Sequence, residues 1–162
     1  MAYLVSVASW VPFSVAGIKE LSGERILDVR PPYGSDEGYR TLDALEALGR
    51  QRYDWYLVAD VVFIVVYTAA LAGAIFAGFG KGRLATGLAI VPFVAAGFDV
   101  VEDASVFAAL RAFPGASSGA LEIASVAGLG KFVFFYSALV IAVGGGVVWV
   151  VRAVRKRRGR PW

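Results

Sequence analysis

The sequence predicts an all-α protein that crosses a membrane several times, and two observations carry that prediction. Of its 162 residues, 58% are hydrophobic and 18% charged, with a mean hydropathy of +0.66, far from the balance of a water-soluble domain. Apolar stretches also recur at bilayer length, since a hydrocarbon core about 30 Å thick needs roughly 20 apolar residues at about 1.5 Å each. The length suits one compact bundle, and no internal period of about 20 to 50 residues marks a repeat array.

Four stretches are expected to span. The first, "YLVSVASWVPFSVAGI" (3–18), is short and interrupted by Pro12; no Lys or Arg precedes it, which disfavours a cleaved signal peptide. The second, 55–79, the third, 84–110, and the fourth, 126–151, are long enough without qualification. Between the first and second lies a polar segment, 19–54. Within it, "RPPYGS" reads as a turn, Ser35 as an N-cap, and Gly49 as a C-cap. Tyr39, Leu42, Leu45 and Leu48 recur at helical spacing between them. A short amphipathic helix is expected there, followed by an interfacial belt, "RQRYDWY" (50–56).

Orientation follows from the basic residues. The tight loop "GKGR" (80–83) and the tail 152–162 carry cations and no acid, six of the 16 basic residues falling in that tail. Segment 19–54 holds six basic and eight acidic residues. Both ends and the tight loop are therefore expected on the cytoplasmic side of a cell membrane, with 19–54 and "RAFPGASSGALE" outside. The basic tail fits an anionic lipid surface, so the pI of about 9.3 implies no nucleic-acid partner.

Composition removes whole chemistries. With no Cys and no His, there are no disulfides, no thiol nucleophile, no imidazole haem ligand and no His/Cys zinc site. What remains is a set of ionisable residues inside apolar helices: Asp60, then Asp99, Glu102 and Asp103 in "FDVVEDASVF", then Lys131. Measured from the outer helix ends, all five fall in the outer half of the bilayer at about 1.5 Å per residue. At 100° per residue Asp99, Glu102 and Asp103 share a face with Pro92, Ala95, Ala96 and Val106. Lys131 shares one with Ala127, Gly128, Ala138 and Gly145, and Asp60 aligns with Tyr67, Ala74 and Gly78. Small residues mark the sides on which membrane helices pack closely, so these groups face the bundle.

Each such charge would cost about 2.5 to 3.5 kcal/mol facing lipid. Four carboxylates against one lysine leave three excess negatives, to be met by protons, by a cation, or by Arg50, Arg52 or Arg111 folding in from a rim that includes Tyr56. A hard divalent cation would find oxygen ligands in Asp99, Glu102 and Asp103. The expected ligand- or ion-binding set is Asp60, Tyr67, Asp99, Glu102, Asp103 and Lys131. Three classes remain open: binding or translocation of a proton, cation or small polar ligand; an intramembrane enzyme acting on a lipid or prenyl-linked head group; and a structural polar network. Known motifs add little. Asp60 and Asp99 differ in depth by a turn or more, unlike an aspartyl-protease dyad that shares one proton, and no strand precedes "GFGKGR" as a phosphate loop requires.

Taken together, "ILDVRPPYGSDEGYRTLDALEALG", Tyr56, Asp60, Tyr67, "DVVED" and the lysine early in the last helix resemble a family of small bacterial four-span membrane proteins with no assigned activity. The resemblance covers residues 27 to about 135 and singles out Tyr33, Gly49, Tyr56, Asp60, Tyr67, Asp99, Glu102 and Lys131. Two departures stand out: Arg52-Tyr53 replaces a Gly-Arg pair, and Asp103 replaces an Asn after the glutamate. The resemblance implies a four-span architecture and a set of residues, and supplies no reaction.

Overall fold

The computed structural model describes residues 12–115 and 118–158. Among them the chain is all-α, with no strand. The helices are α1 (Val15–Ser22), α2 (Ser35–Ala44), α3 (Glu46–Phe79), α4 (Arg83–Leu88), α5 (Ile90–Ala112) and α6 (Ser118–Arg158), with a 3-10 turn at Leu27–Val29. Three stretches are long and apolar enough to cross a membrane: Glu46–Phe79, Arg83–Ala112 and Ser118–Lys156. Only 11% of the most apolar window of Ser118–Lys156 is buried. Such a helix presents most of its Val, Leu and aromatic side chains outward, which water would not tolerate and lipid does. The protein is therefore membrane-embedded. Most of the first expected span, 3–18, and the end of the tail lie outside the described residues.

The chain divides into two compact units, one formed by Met1–Ile64 with Phe98–Gly130, the other by Val65–Gly97 with Lys131–Trp162. The core of the first gathers Ile18, Ile26, Leu27, Leu42, Leu45, Tyr53, Leu57, Val106, Leu121 and Ala124. Helix α1 is started by Ser14, whose hydroxyl accepts from the Gly17 amide at 2.9 Å, and stopped by Gly23 in the left-handed region (φ 73). Arg30 then ties the following segment to both sides of itself, through ion pairs to Glu24 at 3.6 Å and Glu37 at 3.4 Å.

The amphipathic helix expected between the first two spans forms, with different ends. Gly34 occupies the cap position and Ser35 is already helical. The break comes at Leu45, before Glu46, whose φ of 51 turns the chain into α3; Gly49 lies inside α3. Gly49 is kept for packing rather than for capping, since a Cβ there would stand 3.1 Å from that of Leu45. The stripe divides at the same turn: Leu42 and Leu45 are buried, whereas Leu48 is 49% exposed. Helix α3 also takes in "RQRYDWY", so the expected belt splits by helical face. Trp55 is exposed and Tyr53 fully buried.

In the second unit, Ala72, Ile75 and Ala89 form a small core with Phe76, Phe79, Leu88, Ile141 and Ala142 around it. Gly78 and Gly145 bring backbone against backbone: a Cβ on Gly78 would land on the Gly145 main chain. Gly80, at φ 86, ends α3. The third expected span is interrupted at Ala89, because Pro92 has no N–H for the Leu88 carbonyl and its ring crowds that oxygen.

Candidate functional site

The acidic site is built in the first unit. Asp99, Glu102 and Asp103 lie on one face of α5 as their spacing predicts, and all are buried, Glu102 completely. Glu102 fits because position 128 is glycine: a Cβ there would collide with the Glu102 carboxyl and approach Pro31 at 3.4 Å. Asp60 is buried on α3. A third segment then contributes what the sequence reading missed. Asp28, on the 3-10 turn, is 2% exposed, and carboxylate oxygens of Asp28, Asp60 and Asp103 all lie within 4.8 Å of one another.

Tyr53 fixes that turn in place. Its hydroxyl accepts from the Leu27 amide at 3.1 Å and donates to Oδ1 of Asp28. The other carboxylate oxygen, Oδ2, is buried with no hydrogen-bond partner among the described residues. Farther along the same segment the Tyr33 amide donates to Ser125 Oγ at 2.9 Å. The segment between α1 and α2 is thus pinned to α3 and to α6.

Two of the expected rim residues have other partners. Arg50 donates to the Leu42 carbonyl at 2.8 Å and lies over the Phe113 ring at 4.2 Å. Arg111 pairs with Asp54 at 3.0 Å and covers Phe107. Arg52 and Tyr56 are half-buried, with Tyr56 against the Tyr53 ring at 6.0 Å. Two of the three arginines expected to balance the carboxylates are therefore engaged elsewhere. Tyr67 and Lys131 belong to the second unit, where Tyr67 is buried edge-on to Phe135 at 5.2 Å and Lys131 lies 5.4 Å from the Phe132 ring centre.

No family model, curated protein or solved structure matches this chain.

The chemistry of the trio follows from its geometry. At an effective dielectric constant of about 20, two unit charges 4.8 Å apart repel by about 3.5 kcal/mol. Three bare carboxylates at that spacing would oppose folding by roughly 10 kcal/mol, comparable with the whole stability of a domain. Protons, a bound cation or neighbouring side chains must offset this. Three carboxylates on three separate segments, without Cys or His, form a hard oxygen site of the kind that suits Mg²⁺, Ca²⁺ or Mn²⁺.

Proposed function

We propose that this is a four-span cell-membrane protein, with both ends cytoplasmic and segment 19–54 outside, that binds a hard cation through Asp28, Asp60 and Asp103. The resemblance to small bacterial four-span proteins belongs to the same proposal. The observation that carries it is the convergence of three buried carboxylates within 4.8 Å, one of them with an oxygen that has no hydrogen-bond partner among the described residues. Asp99 and Glu102, buried on the same face of α5, extend the acidic surface behind Asp103. Tyr53 is the positioning residue, holding one oxygen of Asp28.

The test is thermal unfolding of the full chain in detergent after chelator treatment, with Mg²⁺, Ca²⁺ and Mn²⁺ titrated separately. A bound cation at about a hundred times its dissociation constant stabilises by about 2.7 kcal/mol. Asp60→Asn should abolish that response and, without cation, unfold at or above the wild-type temperature, because one member of the repelling trio is gone. If no divalent cation shifts unfolding while acidification alone stabilises the wild type, the trio holds protons and the cation reading is wrong.

A further inference from the structure

The second unit contains nine of the chain's Lys and Arg residues and no Asp or Glu. Lys81, Arg83, Arg152, Arg155 and Lys156 therefore have no carboxylate side chain within their own unit to pair with. Several of these cations gather where α3 ends. The chain leaves α3 through Gly80 and re-enters helix at Arg83, and Arg152 Nη1 donates to the Gly78 carbonyl at 3.3 Å. At this turn a wide-open surface cavity of about 650 Å³ is lined by Phe76 and by the exposed residues Lys81, Gly82, Arg83 and Thr86. It lies where two apolar helices of spanning length terminate, which for a membrane protein is the level of the lipid head groups.

We propose that this cavity binds the phosphate-bearing head group of an anionic membrane lipid. A guanidinium matches phosphate oxygens with paired N–H donors, and an ammonium adds a compact positive charge. The volume lies in the range of small-molecule sites. Phe76 is partly buried against the apolar core of the unit, so the cavity offers an apolar wall beside its cations. That combination suits an amphiphile, whose glycerol and upper acyl chain continue from the phosphate, better than it suits a free anion. The site shares no residue with the carboxylate trio and does not depend on the cation reading.

The test uses the delipidated full chain in neutral detergent, with native mass spectrometry and thermal unfolding after addition of phosphatidylglycerol, phosphatidylcholine or inorganic phosphate. Lys81 and Arg83 are exposed, so Lys81→Gln/Arg83→Gln should fold as wild type does, and Lys19→Gln/Arg25→Gln, an exposed pair in the first unit with the same change of charge, serves as control. Wild type should retain phosphatidylglycerol over phosphatidylcholine, with a preference that falls as salt rises. The cavity variant should lose about 30-fold in retention, at about one kcal/mol per basic residue, and the first-unit control less than about threefold. The proposal is overturned if the first-unit control loses as much as the cavity variant, if the two lipids are held equally, or if the preference ignores salt. Saturation by inorganic phosphate alone would overturn the lipid assignment in favour of a soluble phosphate.

Discussion

Removing the Tyr53 hydroxyl tests the site at its most defined point. Tyr53→Phe keeps the fully buried ring and deletes one oxygen that accepts from the Leu27 amide and donates to Asp28. A neutral hydrogen bond contributes about 0.5 to 1.5 kcal/mol and one to a charged group about 1.5 to 3, so the loss should be about 2 to 4 kcal/mol. For a chain of this size that corresponds to roughly 4 to 16 °C in unfolding temperature. Thermal unfolding in detergent, followed by tryptophan fluorescence, reads the shift, and amide hydrogen exchange locates it. Protection should fall first over residues 24–34, where the turn is released. Tyr53→Ala, which also leaves a cavity, should cost clearly more. A loss below about 0.5 kcal/mol for Tyr53→Phe, or exchange that rises uniformly along the chain, would refute the claim that this hydroxyl anchors Asp28.

Other perturbations separate packing from surface effects. Gly128→Ala should lose about 1 to 3 kcal/mol by overpacking, because its new methyl meets the buried Glu102 carboxyl; a neutral result in the same unfolding assay would mean Glu102 is free to move. Gly78→Ala should destabilise through its contact with the Gly145 backbone, while Gly144→Ala, with nothing within 4 Å, should be neutral or gain up to about 1 kcal/mol of helix propensity. Equal effects of those two substitutions would contradict the close approach at Gly78. Arg111→Ala removes a side chain that is 62% exposed and should change stability by less than about 1 kcal/mol, less still at high salt; a larger loss would show that its pair with Asp54 supports the site.

The spanning helices and the buried face of α5 were legible because both express helical periodicity over many residues. Asp99, Glu102 and Asp103 sit at relative positions 0, 3 and 4 of one helix, and no tertiary information was needed to align them. Asp28 was not legible for the opposite reason. It is one of eight acids in segment 19–54, and its burial depends on contacts with Tyr53, 25 residues away. A faint signal was present, as Asp28 stands in "ILDV", an apolar run within a polar segment. A glycine at the end of an apolar stripe, such as Gly49, serves packing or capping equally well, and here Glu46 takes the turn. Composition alone puts Tyr53 in an interfacial belt, whereas helical phase places Trp55 outside and Tyr53 in the core.

The bond between the Tyr33 amide and Ser125 links residues 92 positions apart, and that separation sets an order of events during synthesis. At about 5 to 20 residues per second, Tyr33 leaves the ribosome roughly 5 to 18 seconds before its partner is made. Until then the segment carrying Asp28 is held by Tyr53 and by bonds within the first part of the chain, and it is not yet tied to α6. Helix α6, made after all the others that carry the site, fastens the segment in place.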